Sequence, residues 1–403
     1  MRLDWGGRAI SPYYLLAAMA FCTIVGLYDI VYVVALNLAD QRFALMLKPV
    51  VNGPTIYPDF ITPYAATQAY FKGLQSVVYD PVKFTAFLNE LYAYRFDFKF
   101  QPFLYPPVWA LVLLPLGLIP VYLACLLFMV STAAASAFEM RRSLWSWLAV
   151  ATSPAAVWVV LSGQNTFLYI ALIYGGLRLV EKSPVAAGVL LGCLVYKPQI
   201  CLLVPLALLA SRQWKALAWM IATGTIIVLV SVAVFGFDFW LDYLNMTLRL
   251  SEPGMVDFWA SRRSTFQISP FVAARILLLP DTVAKLLQLA TALLGAAAVW
   301  FAFRRFPASA ARTAVLMAAT LLVSPYSINY DMMLLLPAAL LLYRQGAATG
   351  FYPLEPLLYV VLWLMPTAIL WFNYRAPLTP VVVLAFGLFA LLRLRASGPV
   401  TRA

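Results

Sequence analysis

Long apolar runs, separated by short clusters of charge, proline and glycine, make up most of the chain. They fall near residues 12–34, 104–137, 144–161, 165–180, 184–199, 200–211, 216–236, 282–303, 313–325, 330–343, 355–372 and 378–394. A helix needs about 20 apolar residues to cross a bilayer. The pattern therefore predicts an all-α polytopic membrane protein, a bundle of about 12 transmembrane helices. Runs 200–211, 313–325 and 330–343 are short for a full crossing, so tilted, broken or partly projecting helices are expected there. Run 104–137 is long enough to extend beyond the bilayer. The first run, with Arg2 and Arg8 ahead of it, is too long for a signal peptide and lacks a small-residue cleavage site, so it reads as a retained signal anchor.

Composition agrees. The chain has 403 residues, 64% hydrophobic and 11% charged, against about a quarter charged in soluble domains. The net charge of +12 reads as membrane topology rather than affinity for nucleic acid, because Lys and Arg collect in short cytoplasmic loops. Placing Arg141, Arg142, Arg178, Lys182, Arg212, Lys215, Arg304, Arg305, Arg312 and Arg344 inside puts both termini in the cytoplasm. Two long loops, 38–103 and 237–281, then lie outside, and one domain spans 1–403 with no internal repeat. The chain contains no histidine, which excludes an imidazole base and every His-ligated metal or haem. Cys22, Cys125, Cys193 and Cys201 lie in apolar runs without zinc-ligand spacing and read as packing residues.

With that topology the polar stretches gather at the outer face. Asp59 stands in the first outer loop within "YPDFITPYAATQAYFKG". "FLYPPVWALVLLPLG" (103–117) opens the second span, "SGQNTFL" (162–168) and "YKPQ" (196–199) cap outer turns, and "SPYSINYD" (324–331) forms a third. Each has a plainer reading. Tyr105-Pro106-Pro107 can simply start a helix, and Gly163-Gln164-Asn165 can be a tight turn. Lys197 can snorkel to the interface, Ser324-Pro325 and Asn329 can be turn residues, and Asp331 can cap the next helix. Asp29, inside the first run, is a functional candidate by position, although it sits near the outer end.

Taken in order, "DFITPYAATQAYFKGLQSVVYDP" (59–81), "FLYPPVWALVLLPLGLIP" (103–120), "SGQNTFLYIAL" (162–172), "YKPQICLLVPLALLASRQWKAL" (196–217) and "SPYSINYDMMLLLPA" (324–338) resemble glycosyltransferase family 87. That family comprises polyprenol-phosphate-mannose-dependent mannosyltransferases of the GT-C superfamily. The resemblance implies a GT-C-like bundle with short helices in the first outer loop, and loops 38–103 and 237–281 forming an extracytoplasmic cap. Relatives often carry a histidine in the last motif. Here Tyr326, Asn329, Tyr330 or Asp331 must make the polar contact instead.

The resemblance further implies an inverting transfer of a hexose, mannose by analogy, from a polyprenyl-phosphate donor to a hydroxyl on a lipid or glycan. The expected setting is the outer face of a bacterial-type inner membrane. Asp59 is the expected base, accepting the proton of the attacking hydroxyl. Lys197, Arg262 and Arg263 are expected on the departing phosphate, with Lys72, Lys83, Arg95 and Lys99 behind them; the plainer reading of Arg262 and Arg263 is a solvated loop. Gln164, Asn165 and Gln199 are candidates for sugar hydroxyls, and Tyr57, Phe60, Tyr64 and Tyr105 for a sugar face or prenyl groove. No cofactor is expected. A divalent metal, which is not excluded, would need carboxylates such as Asp59, Asp80 or Asp331. The expected partners are the lipid-borne donor, the acceptor and membrane lipids, and no nucleic acid. A transporter or flippase of a lipid-linked precursor, or a structural subunit of a membrane assembly, is the competing reading. A transporter often shows inverted repeats and mid-membrane polar groups, neither of which is evident.

Overall fold

A computed structural model of the chain describes residues 58–92, 98, 100–139, 152–249, 266–372 and 376–396, together with Ile24. Apart from Ile24, span 12–34 with Asp29 lies outside these residues, as do Tyr57, Arg95, Lys99, Arg262 and Arg263. Among the described residues the regular structure is helical, with one isolated bridge between Gln267 and Ile328.

Proline sets many of the helix starts. It occupies the first turn of α1 (Pro58–Phe71), α2 (Pro81–Leu91), α3 (Pro107–Leu113), α5 (Pro154–Ser162) and α7 (Pro184–Gly192). A missing N–H costs nothing there, and the fixed φ suits a helix. Side-chain caps reinforce the pattern, since Ser153 Oγ accepts from Ala156 N at 3.0 Å, ahead of α5. At its other end Gly163 closes α5 in the left-handed region, φ 68°.

The apolar run 104–137 does not form one continuous helix. It divides into α3, a 3-10 turn over Leu114–Leu118, and α4 (Val121–Glu139). Pro115 and Pro120 each lack an N–H, and Gly117 packs so closely on α1 that a Cβ there would meet Thr67 and Phe71. The runs 184–199 and 200–211 are similarly segmented. After α7 come a 3-10 turn (Cys193–Tyr196), a single turn α8 (Pro198–Cys201) and α9 (Val204–Ala210).

The chain continues through α6 (Thr166–Leu179), α10 (Trp214–Phe235), α11 (Phe237–Leu248), α12 (Pro270–Ile276), α13 (Asp281–Arg305) and α14 (Ala310–Val323). It ends with a 3-10 segment (Asn329–Leu335), α15 (Leu336–Thr349), α16 (Glu355–Phe372) and α17 (Thr379–Ala396). Four stretches among the described residues are long and apolar enough to cross a membrane: Val121–Glu139, Trp214–Phe235, Asp281–Arg305 and Asn329–Thr349. Shorter apolar helices accompany them, among them Thr166–Leu179 and Ala310–Val323.

Burial separates these helices into two kinds. α14 is almost wholly enclosed, with every residue from Ala314 to Val323 buried. α10 and α13 instead expose Ile221, Ile226, Leu229, Leu286, Leu289 and Leu293. A soluble protein would bury such surfaces, whereas lipid-facing helices leave them outward. The fold is that of a membrane protein with α14 at its centre and α10 and α13 on its apolar perimeter.

Candidate active site

Polar side chains from distant parts of the chain converge on one open cleft of about 280 Å³. Its wall includes Asp59, Tyr105, Gln164, Lys197, Gln199, Tyr326 and Asp331. α1 supplies Asp59 from its first turn, where the helix N-terminus favours a carboxylate. The extended segment before α3 supplies Tyr105, and the α5–α6 turn supplies Gln164. The break between the 3-10 turn and α8 supplies Lys197 and Gln199, and the segment after α14 supplies Tyr326 and Asp331. α11 closes a further side with Tyr243 and Thr247.

The two carboxylates differ sharply in surroundings. Asp331 is buried, and its Oδ1 accepts from Lys197 Nζ at 3.0 Å and from Tyr169 Oη at 2.7 Å. Its Oδ2 accepts from Ile328 N at 3.0 Å, so it also serves as a local cap. Asp59 is half-buried on the cleft wall, and its carboxylate makes no hydrogen bond or ion pair among the described residues. Beside it, one turn along α1, Thr62 Oγ1 accepts from Gln101 Nε2 at 3.2 Å.

Lys197 does not snorkel outward; only 4% of it is exposed. Its ammonium also reaches Asn165 Oδ1 at 3.4 Å and stands 4.6 Å from the Tyr169 ring centre and 5.8 Å from that of Tyr330. Aromatic faces stabilise a desolvated cation. A second chain crosses the floor: Tyr105 Oη donates to Gln164 Oε1 at 3.2 Å, and Gln164 Nε2 donates to Tyr330 Oη at 2.9 Å. Behind this layer Tyr196 stacks on Trp109, centroids 4.7 Å apart. Tyr79 anchors the loop side, donating its hydroxyl to Tyr105 O at 2.8 Å. Burial, with Tyr243 and Asp242 adding to it, holds that hydroxyl well above its ordinary pKa, so it stays a donor.

Other sequence candidates stand apart from the cleft wall. Phe60 is buried against Tyr64 and Phe128, and Tyr64 Oη donates to Ile119 O at 2.7 Å. Asn165 lies behind Lys197, its Oδ1 accepting from that ammonium, and its Nδ2 is buried without a hydrogen-bond partner among the described residues. Asn329 is turned away, donating to Pro366 O at 3.0 Å. Lys83 pairs with Asp80 at 3.2 Å on the surface, while Lys72 Nζ stands 5.8 Å from the Phe87 ring centre. Tyr169, Tyr243 and Thr247 were not apparent as site residues. Tyr169 falls one helical turn after Asn165, a spacing that puts both on one face. Among the described residues no three His, Cys, Asp or Glu side chains converge as metal ligands would.

Among the described residues, a helical apolar bundle holding a polar cleft with one paired and one unpaired carboxylate defines a membrane protein with an enzyme-like site. The chain belongs to glycosyltransferase family 87, whose sequence profile matches residues 103–325, more than half its length. It is therefore a glycosyltransferase. The match starts beyond Asp59 and stops short of Asp331. No curated protein and no solved structure matches the chain.

Proposed function

We propose that this glycosyltransferase moves a hexose, mannose in the first instance, from a polyprenyl-phosphate donor to an acceptor hydroxyl on a lipid or glycan, inverting the anomeric carbon. The contrast between the two cleft carboxylates carries the reading. A general base needs a lone pair open to the proton it takes. Asp331 commits its oxygens to Lys197, Tyr169 and Ile328 N, whereas Asp59 faces the cleft without such partners among the described residues. Asp59 takes the acceptor proton as the hydroxyl oxygen attacks the anomeric carbon from the face opposite the phosphate. The C–O bond to phosphate breaks with its electron pair, and a β-linked donor gives an α-linked product.

The departing phosphate needs cations organised in advance. An ammonium has three donors; Lys197 directs two at Asp331 and Asn165, and the third serves a phosphate oxygen. Arg262 and Arg263 are proposed to assist from the outer loop. A phosphodiester monoanion is balanced by such cations, so no metal enters the scheme. Tyr105, Gln164, Gln199 and Tyr326, all on the wall, are the proposed sugar contacts. The reading is completed by a GT-C-like bundle of about 12 spans, set in a bacterial-type inner membrane with cytoplasmic termini and an extracytoplasmic cleft.

The test uses the full chain in vesicles with labelled polyprenyl-phosphate mannose and a membrane-lipid extract as acceptor. Asp59→Asn should lower product formation about 10²–10⁴-fold and retain donor binding. Wild-type turnover in that variant would end the assignment of Asp59. Movement of the labelled lipid across the bilayer without a new glycosidic bond would favour a flippase instead.

A further inference from the structure

Helix α11 has three chemically different faces, and one apolar face is left uncovered among the described residues. Each residue advances about 100° around a helix. Phe237, Leu241, Leu244 and Leu248 therefore form one narrow stripe, and they are 64%, 41%, 50% and 79% exposed. About 100° further round lie Asp238, Asp242 and Asn245, a face suited to water. The remaining side turns into the protein, where Phe239 and Tyr243 pack on Tyr79 with ring centres 4.8 and 5.5 Å apart. Met246 is buried on that side, and Thr247 joins Tyr243 on the cleft wall.

We infer that α11 is a membrane-surface helix, with its Phe237–Leu248 stripe sunk into the lipid, its acidic face in water and its third face forming the lipid-side wall of the cleft. The occupant of the stripe is the bilayer because the stripe continues an existing lipid surface. The preceding helix, α10, is an apolar span whose side chains mostly face outward. Only Gly236, at φ 86°, separates the two helices. A non-glycine residue would strain that turn, so the corner from span to surface helix is built into the backbone. Trp240, between the lipid and protein faces, ties the corner by donating to Ser231 Oγ of α10 at 2.9 Å. A partly apolar ring with one polar atom suits this depth.

The consequence is positional. A helix of this type lies at the boundary between headgroups and acyl chains. Tyr243 and Thr247 are then held at headgroup depth, and the cleft is open to a phosphate whose hydrocarbon tail stays in the bilayer. That use of the cleft rests on the lipid-linked donor proposed above; the placement of α11 does not.

The experiment measures placement without catalysis. Leu241→Cys, Leu244→Cys and Asn245→Cys are made separately in the full chain and reconstituted in phosphatidylcholine vesicles. Each is exposed to a membrane-impermeant maleimide and, separately, to a lipid-borne photoactivatable carbene. Peptide mass spectrometry locates the adducts, so the native cysteines stay in place. Position 245 should react with the maleimide severalfold faster than 241 and 244, and the carbene should label the 241–244 peptide strongly. Equal maleimide rates at 244 and 245 would put the stripe in water and overturn the inference. Failure of both reagents at 241 and 244 would show the stripe covered by protein and overturn it equally. Failure of the Asp59 assay with success here would remove the donor and keep the surface helix.

Discussion

Lys197 and Asp331 stand 134 positions apart in sequence and meet at 3.0 Å between Nζ and Oδ1, with 5% and 4% of their side chains exposed. The pair ties the break before α8 to the 3-10 segment after α14. Both segments are irregular backbone placed where helices would otherwise run on. A buried ion pair is seldom the most stabilising choice for its volume, but removing one partner strands a charge and costs about 3–5 kcal/mol. Asp331→Asn and Lys197→Met are each expected to lose stability on that scale in thermal unfolding in detergent. The double variant Lys197→Met with Asp331→Leu should recover most of the loss, because no unpaired charge remains. Glycosyl transfer should stay impaired in all three, since none retains the Lys197 cation with its partner. A double variant as unstable as the sum of the singles would contradict the pairing.

Much of this arrangement could be read beforehand, though unevenly. The apolar runs identified the membrane class because hydrophobicity over about 20 residues is a local property. Asp59, Tyr105, Gln164, Lys197, Tyr326 and Asp331 stood out as polar groups at the ends of apolar runs, and they share one cleft. The order of their motifs carried the family. The partner of Lys197 was not legible, because which span ends meet depends on packing of the entire bundle. Nor was the rotation of α1, whose first turn gives Asp59 to the cleft and Phe60 to the core one residue later. The division of run 104–137 was written in Pro115, Gly117 and Pro120, yet apolarity alone masks such breaks.

A second buried pair, Glu355 with Arg393, bonds to Thr349, Gly350, Tyr352 and Tyr359, none of them on the cleft wall, and should behave differently. Glu355 accepts from Arg393 Nε and Nη2, each at 2.5 Å, from Tyr359 Oη at 2.7 Å and from Tyr352 N at 2.9 Å. Arg393 also donates to Gly350 O at 3.0 Å. The start of α16 and the end of α17 are thereby clamped to the turn after α15. Arg393→Met leaves Glu355 buried without its cation, so a loss of about 3–5 kcal/mol is expected. Turnover per folded molecule should be unchanged, which activity normalised to the folded fraction would check.

Asp80 offers a pH-dependent contribution outside the spans. It caps α2, accepting from Val82 N at 3.1 Å and Lys83 N at 3.0 Å, and pairs with Lys83 Nζ at 3.2 Å. Burial opposes its ionisation, but the Lys83 contacts and the Val82 N–H outweigh it and lower the carboxyl pKa from 3.8. A carboxyl lowered on folding stabilises above its unfolded pKa, and the gain is lost as pH falls through the folded value. Asp80→Ala should therefore cost about 1 kcal/mol at neutral pH. The gap between variant and wild type should narrow only as pH drops below 3.8. Thermal unfolding curves at neutral and acid pH test the sign, and a gap that widens on acidification would contradict it.

The close approach of α7 and α10 is the last feature that a single substitution can probe. In a bilayer, packing between helices relies on small residues that let backbones come together. A Cβ on Gly188 would stand 2.5 Å from Ala216 O and 2.5 Å from Trp219 Cβ. On Gly192 it would stand 2.6 Å from Met220 O and 2.6 Å from Thr223 Cβ. Backbone carbonyls cannot rotate aside, so Gly192→Val must part the helices, at about 1–3 kcal/mol or more. α7 runs straight into the turn that carries Lys197, so the displacement should also reduce transfer per folded molecule. Gly224, on the facing helix, provides the opposite case. A Cβ there would find its nearest neighbour at 3.7 Å, which is ordinary contact. Gly224→Ala should therefore leave transfer intact and gain up to about 1 kcal/mol from helix propensity. Unfolding temperatures in detergent that rise for Gly224→Ala and fall for Gly192→Val would confirm this packing, and the reverse order would refute it.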